Sequence, residues 1–223
     1  MAVADTKERI LDVSERLFAD SGFAKTSLRD ITSEAGVNLA AVNYHFGSKE
    51  ALLEAILERR FRPINDKRIV MLDELEAAAS SKGPDLEDIL TALLEPPFHA
   101  WAEAEDRGQK LLKLVGQIHG ETNEEIRAAF VGQFDQIFER FNAALGKALP
   151  TLEPAEVTRR MHLVVGAMAH TMIWGEEIMP RAPHGPHDAN QLLDSLIQFA
   201  AAGMAAPAPV EVGVRPAGRR KRP

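Results

Sequence analysis

Apolar side chains along this chain recur at steps of three and four residues, and no sustained period-two alternation interrupts them. Ile10, Val13, Leu17 and Phe18 fall on or near one stripe, which predicts a helix from about Asp5 to Asp20, ended by Ser21-Gly22. Ser27-Leu28-Arg29-Asp30 is a capping-box variant in which Asp30 reaches back, so a second helix starts at Ser27 and stops at Gly36. Leu39 to His45 makes a very short third helix with Asn38 as its N-cap. A fourth starts at Ser48 and runs towards Ala79. Pro63 cannot donate to the carbonyl of Arg59, so a kink or break is expected there. SSKGPD marks a boundary, a helix resumes at Asp85, and Pro96-Pro97 predicts another break or change of direction. Helical patterns return at about 107–119, 123–148, 154–179 and 188–205. The cleanest is 123–148, where Ile126, Phe130, Phe134, Ile137, Phe138, Phe141 and Leu145 fall at steps of three, four or one. The closing APAPVEVGVRPAGRRKRP, rich in Pro, Gly and Arg, reads as a disordered tail. The pattern predicts an all-α chain of about nine helices, a small N-terminal unit feeding a larger bundle.

Composition changes this picture in two ways. The 223 residues contain no cysteine, which removes disulfides, thiol nucleophiles and cysteine metal sites, and no apolar run approaches the roughly 20 residues needed to span a bilayer. A cytoplasmic protein with no membrane partner is expected. The net charge of -7 is unevenly placed. Residues 1–60 carry 8 basic and 10 acidic side chains, residues 61–210 carry 13 and 22, and residues 211–223 carry 5 and 1. Any anionic partner should therefore meet the N-terminal part or the tail.

Two short helices joined by a Gly-containing turn and packed on a preceding helix make a helix-turn-helix candidate, whose second helix enters the major groove with its N-terminal residues at base edges. Leu39, Ala40 and Ala41 suit close approach there and contact with thymine methyls; Asn43 is able to pair bidentately with adenine. Tyr44 and His45 are candidate phosphate donors. Thr26 and Ser27 bring hydroxyls and free amides to the start of the second helix, and Lys49 lies in the first turn of the fourth. The competing reading makes 36–53 a turn between core helices, with Tyr44 and Phe46 as core aromatics; Val42 and Phe46, four apart, are themselves expected in the core.

The ordered combination GFAKTSLRDITSEAGVNLAAVNYHFGSKEALLEAIL resembles the DNA-binding signature of the TetR family of bacterial transcriptional repressors over about residues 5–60. The resemblance implies a helix-turn-helix DNA-binding domain over 1–48, a ligand-binding and dimerisation domain over 49–205 with helix 49–79 linking the two, and a disordered basic tail over 206–223. It makes Thr26, Ser27, Arg29, Asn38, Leu39, Ala40, Asn43, Tyr44, His45 and Lys49 the DNA-facing positions. The family commonly has Tyr where this chain has Asn43. NLAAVNYHFGSKEAL, RRMHLVVGAMAHTM and FAAGM are further similar to the PsrA-type regulators, which respond to long-chain fatty acids.

A domain of that type implies a homodimer on a double-stranded DNA operator and a small hydrophobic effector, with no cofactor. Phe98, Trp101, Leu114, Val115, Ile118, Phe130, Phe134, Val165, Met168 and Met172 are the apolar lining candidates, with Met adapting to chain shape. A head group needs a donor, for which His119 and His162 are candidates beside Lys113 and His170. Each histidine also reads as a satisfied core or interface residue. His162 and His170, eight apart, are too distant to share one metal ion, and no HExxH, GxSxG or Gly-rich phosphate loop is present. No catalytic or metal site is assigned. A regulator with another hydrophobic inducer, a helical lipid-binding protein and a helical metalloenzyme are the alternatives. Helices 154–179 and 188–205 supply small and apolar residues for a four-helix interface between protomers.

Overall fold

A computed structural model describes residues 2–79, 83–102, 113–118, 123–178 and 189–208. All regular structure among them is helical: α1 (Ala2–Ser21), α2 (Leu28–Ala35), α3 (Leu39–His45), α4 (Lys49–Ala78), α5 (Leu86–Ala102), α6 (113–118), α7 (Glu124–Gly132), α8 (Asp135–Ala148), α9 (Pro154–Ile178) and α10 (Ala189–Ala205). The tail beyond 208 lies outside the described residues. None of the described helices is long and apolar enough to cross a membrane.

Local chemistry sets the short helices at the N-terminal end. The Ser27 hydroxyl accepts from the Asp30 N–H while the Asp30 carboxylate accepts from the Ser27 N–H, the reciprocal cap expected for α2. Gly36 ends that helix at φ 61°, a left-handed conformation that favours glycine. The Asn38 side chain accepts from Ala41 N at 2.9 Å to start α3, and the Ser48 hydroxyl from Ala51 N at 3.0 Å to start α4.

The apolar faces form two cores strung along α4. The first gathers Ile10, Phe18, Ile31, Val42, Leu52, Ile56 and Phe61 from α1 to α4, and adds Leu114 and Ile118 from α6 and Ile126 from α7. The second gathers Leu72, Leu90, Leu93, Phe98, Phe141, Met161, Leu196 and Met204 from α4, α5, α8, α9 and α10. Each buried Leu, Ile or Phe removes enough apolar surface from water to contribute roughly 1.5–3 kcal/mol. The α4 helix is thus the shared wall, N-terminal half in one core and C-terminal half in the other.

Two expected interruptions do not form, and one that was not expected does. The break at Pro63 is absent, since α4 runs continuously from Lys49 to Ala78 with Pro63 exposed on its surface. The break at Pro96-Pro97 is also absent, and α5 carries both prolines in its interior. Pro97 has no N–H for the carbonyl of Leu93, but the Arg68 Nε of α4 donates to that carbonyl at 2.8 Å. A side chain from the neighbouring helix supplies the hydrogen bond that the proline withholds. Conversely, 123–148 is two helices. Around Gln133 and Phe134 the ladder tightens to bonds from Gln133 N to Phe130 O (3.2 Å) and from Phe134 N to Val131 O (2.9 Å). The Gln133 carbonyl instead accepts from Asn65 Nδ2 of α4 at 2.7 Å. Phe61 then meets both Phe130 and Phe134 edge-on, with ring centroids 5.6 and 5.0 Å away.

Charged side chains fasten the seams. Arg59 reaches Glu8, Asp12 and Glu15 of α1, and Arg60 grips Glu15 through Nε at 2.7 Å and Nη2 at 2.8 Å. Glu15 is buried at 3% exposure, so this is an internal clamp. At the far end, Arg160 of α9, held by Glu156, donates to the carbonyls of Gly203, Met204, Ala206 and Pro207 and caps the C-terminus of α10.

Candidate nucleic-acid interface and effector bundle

The short third helix owes its orientation to one buried residue. Val42 is fully buried in the first core, and Ala41 and Phe46 pack partly against it. That anchoring turns Asn38, Leu39, Ala40, Asn43 and Tyr44 outward, with Tyr44 81% exposed and Leu39 48% exposed. A large apolar side chain and an aromatic ring left in water on one short helix carry no folding benefit. His45 is half-buried and meets Tyr44 edge-on, ring centroids 5.1 Å apart. The outward set offers an amide, a phenol, an imidazole and small apolar groups, the donor, acceptor and methyl-contact repertoire of a major-groove surface.

Around α3 the expected phosphate holders divide. Arg29 is exposed on α2, and Lys25, which sequence reasoning passed over, is exposed in the loop before it. Ser27 is exposed, but its hydroxyl donates to Asp30 at 2.6 Å and its own N–H is spent on the same carboxylate. The Ser27 hydroxyl, followed by the Ser27 N–H, holds the Asp30 carboxyl below its ordinary pKa. First-turn amides left over for an anion are those of Leu28 and Arg29.

Thr26 and Lys49 depart from their expected roles. Thr26 is buried, and its hydroxyl donates to the carbonyls of Gly22 (2.9 Å) and Leu17 (3.2 Å), so it stitches the α1–α2 loop and presents no hydroxyl to solvent. The Lys49 ammonium donates to the carbonyls of Phe23 and Thr26, both at 3.0 Å, and sits 4.1 Å from the Phe23 ring centroid. Two of its three N–H groups are thereby used inside the unit, and its main contribution is to lock α4 onto the loop that starts α2.

The lining candidates also divide. Phe98, Met168 and the partly buried Trp101, Val165 and Met172 lie in the second core. Leu114, Val115, Ile118, Phe130 and Phe134 lie in the first, against the helix-turn-helix unit. The reason is α6, whose Gln117 comes up to Gly22 in the turn after α1 and whose apolar face closes the first core. His162 is exposed, because the inward stripe of α9 is Val157, Met161, Val164 and Met168; Lys113 and His170 are exposed too. His119 lies outside the described residues. A half-open cavity of about 580 Å³ lies between α8 and α9, bordered by Asn142, Gly146, Leu152 and Val157, and none of the lining candidates borders it. No group of three or more His, Cys, Asp or Glu among the described residues is placed to hold a metal ion.

Sequence reasoning missed Arg68. It stands on the inward stripe of α4, seven residues after Phe61 and four before Leu72, where an apolar side chain is the ordinary occupant. It is 3% exposed, and burial pushes its guanidinium down to about 10, so it stays charged at neutral pH.

Comparison with known proteins agrees with this architecture. The family described as tetracyclin repressor-like, C-terminal domain, matches residues 91–203, just over half of the chain. The family described as bacterial regulatory proteins, tetR family, matches residues 10–56. The HTH-type transcriptional regulator AcrR of Shigella flexneri is 33% identical over 113 residues, 50% of this chain and 48% of that protein. The uncharacterized HTH-type transcriptional regulator YerO of Bacillus subtilis (strain 168) is 28% identical over 153 residues, 63% of this chain and 51% of that protein. The chain thus spans about half the length of these curated relatives. Among solved structures, the transcriptional regulator FadR from Bacillus subtilis in complex with stearoyl-CoA superposes with a TM-score of 0.65 at 16% identity, over 88% of this chain and 98% of that one. That likeness shows the fold alone.

Proposed function

Because the chain belongs to the TetR family of transcriptional regulators, a class that consists of regulators and not enzymes, we propose that it is a repressor. In this reading a homodimer holds a palindromic operator and lets go when a small hydrophobic ligand, a long-chain fatty acid or its CoA thioester, enters the bundle. The observation that carries the DNA half is the outward face of α3, with Tyr44, Leu39 and Asn43 exposed over a fully buried Val42. One such helix reads few base pairs, so two related by a twofold axis are needed, about 34–36 Å apart on the duplex. Leu163 on α9 and Phe199 on α10, 71% and 70% exposed, are apolar side chains suited to a protomer interface.

The ligand half rests on two supports. The inward face of α9 is rich in Met, which adapts to chain shape, and a protein of the same fold, the FadR of Bacillus subtilis, carries stearoyl-CoA. This favours the PsrA-type, acyl-responsive subgroup over other inducer classes. Coupling between ligand and DNA has a physical route in α4 and α6, which contribute to the core under the reading helix. Such coupling is typically about 1–3 kcal/mol.

A mobility-shift assay on the DNA flanking the chain's own gene tests the regulator reading. Asn43→Ala is expected to weaken a palindromic operator by about 1–3 kcal/mol per site while random DNA changes little. Equal losses on both would remove Asn43 from base reading. If neither palmitate nor palmitoyl-CoA releases the operator, the acyl ligand fails and the DNA-binding reading stands.

A further inference from the structure

Arg68 is the one arginine of α4 whose charge meets no carboxylate among the described residues. Its Nε is fixed by the carbonyl of Leu93, and its Nη1 donates to Asn65 Oδ1 at 3.1 Å. Its Nη2 finds the Met168 sulfur at 3.7 Å, a weak acceptor for a full positive charge. A buried cation facing a thioether is costly to fold around.

The fixed Nε makes this charge directional, because it holds the guanidinium plane while the Nη edge looks into the bundle. A planar fork with donors to spare is the group best matched to a carboxylate. Beside Asn65 Oδ1 on Nη1, what faces that edge among the described residues is the end of a flexible Met side chain on Nη2, which can swing aside. The same core contains Trp101, Val165 and Met172, all partly buried and able to flank an apolar body. The donors expected from sequence, Lys113, His162 and His170, are exposed instead.

We propose that Arg68 is the internal anchor for an anionic head group: the effector is an amphiphile whose carboxylate displaces Met168 from the guanidinium Nη edge and whose apolar chain lies in the second core. This deepens, and rests on, the reading of the bundle as a site for a small hydrophobic ligand. Asn65, which bonds both Arg68 and the Gln133 carbonyl at the α7–α8 joint, sits where occupancy of the anchor would be felt between the two cores.

The test measures binding to the full chain, not operator release, so its outcome is separate from that of the mobility shift. Palmitate, hexadecanol and palmitoyl-CoA are titrated by displacement of an environment-sensitive fluorescent probe at pH 7.5. Wild type is expected to favour palmitate over hexadecanol by about tenfold to a hundredfold, the worth of a charged hydrogen bond in a buried site. Arg68→Met should bring that ratio close to one with hexadecanol affinity kept, and Arg68→Lys should restore part of it. Palmitoyl-CoA binding while palmitate fails would overturn the carboxylate anchor, because the thioester carries no carboxylate. Equal palmitate and hexadecanol affinity in wild type overturns the proposal, as does an unchanged ratio in Arg68→Met or the absence of binding by either acyl anion. If circular dichroism shows Arg68→Met unfolded, the wild-type ratio and Arg68→Lys decide.

Discussion

Two stretches of α4, less than three turns apart, treat buried positive charge in opposite ways. At residues 59 and 60 the guanidinium groups are gripped by Glu15 from α1, with Glu8 and Asp12 adding to Arg59. At residue 68 the charge is more deeply buried and is offered a carbonyl, an amide oxygen and a thioether. The first arrangement is closed: its charges neutralise one another inside the chain, and it serves to hold α1 to α4. The second is open, with one of its three hydrogen bonds given to a backbone defect in α5. The difference teaches that a buried arginine is structural or receptive according to what faces it.

The largest expected effect comes from opening the closed station. Glu15→Ala leaves two cations without their shared buried carboxylate and should cost about 3–5 kcal/mol, read as a lower midpoint in urea or heat unfolding. A loss below about 1 kcal/mol would make the two stations alike and the contrast empty. The next effect probes the open station. Arg68→Met strands the Leu93 carbonyl and should cost about 1–3 kcal/mol. In a Pro97→Ala background, where residue 97 regains an N–H for that carbonyl, the same change should cost less than half as much. A double-mutant cycle with no coupling would show that Arg68 does not replace the missing proline donor.

The smallest effect concerns Arg160, fastened by Glu156 as Arg59 is by Glu15. The bond from Arg160, followed by that from Arg159, holds the Glu156 carboxyl below its ordinary value of 4.5. A depressed carboxylate stabilises the fold fully above 4.5, and the contribution drains away as pH falls through the lower folded value. Acid titration of the melting temperature should therefore show a drop below pH 4.5 that shrinks in Glu156→Gln.

How much of this was legible in the sequence depended on how far each partner lies along the chain. The caps at Ser27, Asn38 and Ser48 and the burial of Val42 act within three or four residues, and the sequence pattern predicts all of them. The prolines of α5 misled because the donor that rescues Leu93 lies 25 residues away on α4. The split of 123–148 was hidden for the same reason, its deciding bond spanning 68 residues from Asn65 to Gln133. Thr26 and Lys49 matched the family pattern by type, yet what their polar atoms touch is decided by the loop they hold together. Arg68 did leave a trace, as a charge on the inward stripe of α4, but a single arginine among apolar positions is visible only when the stripe is followed through Pro63.

The bond between Arg68 and Leu93 also bears on the order in which the molecule assembles. A segment with two consecutive prolines in its interior cannot complete its own hydrogen-bond ladder, so 86–102 in isolation should populate little helix. Its last turns close when α4 arrives with the missing donor. Hydrogen exchange should accordingly find residues 94–102 acquiring protection after the centre of α4, and the helix nearest the candidate acyl site would be a late folder whose stability is lent by its neighbour.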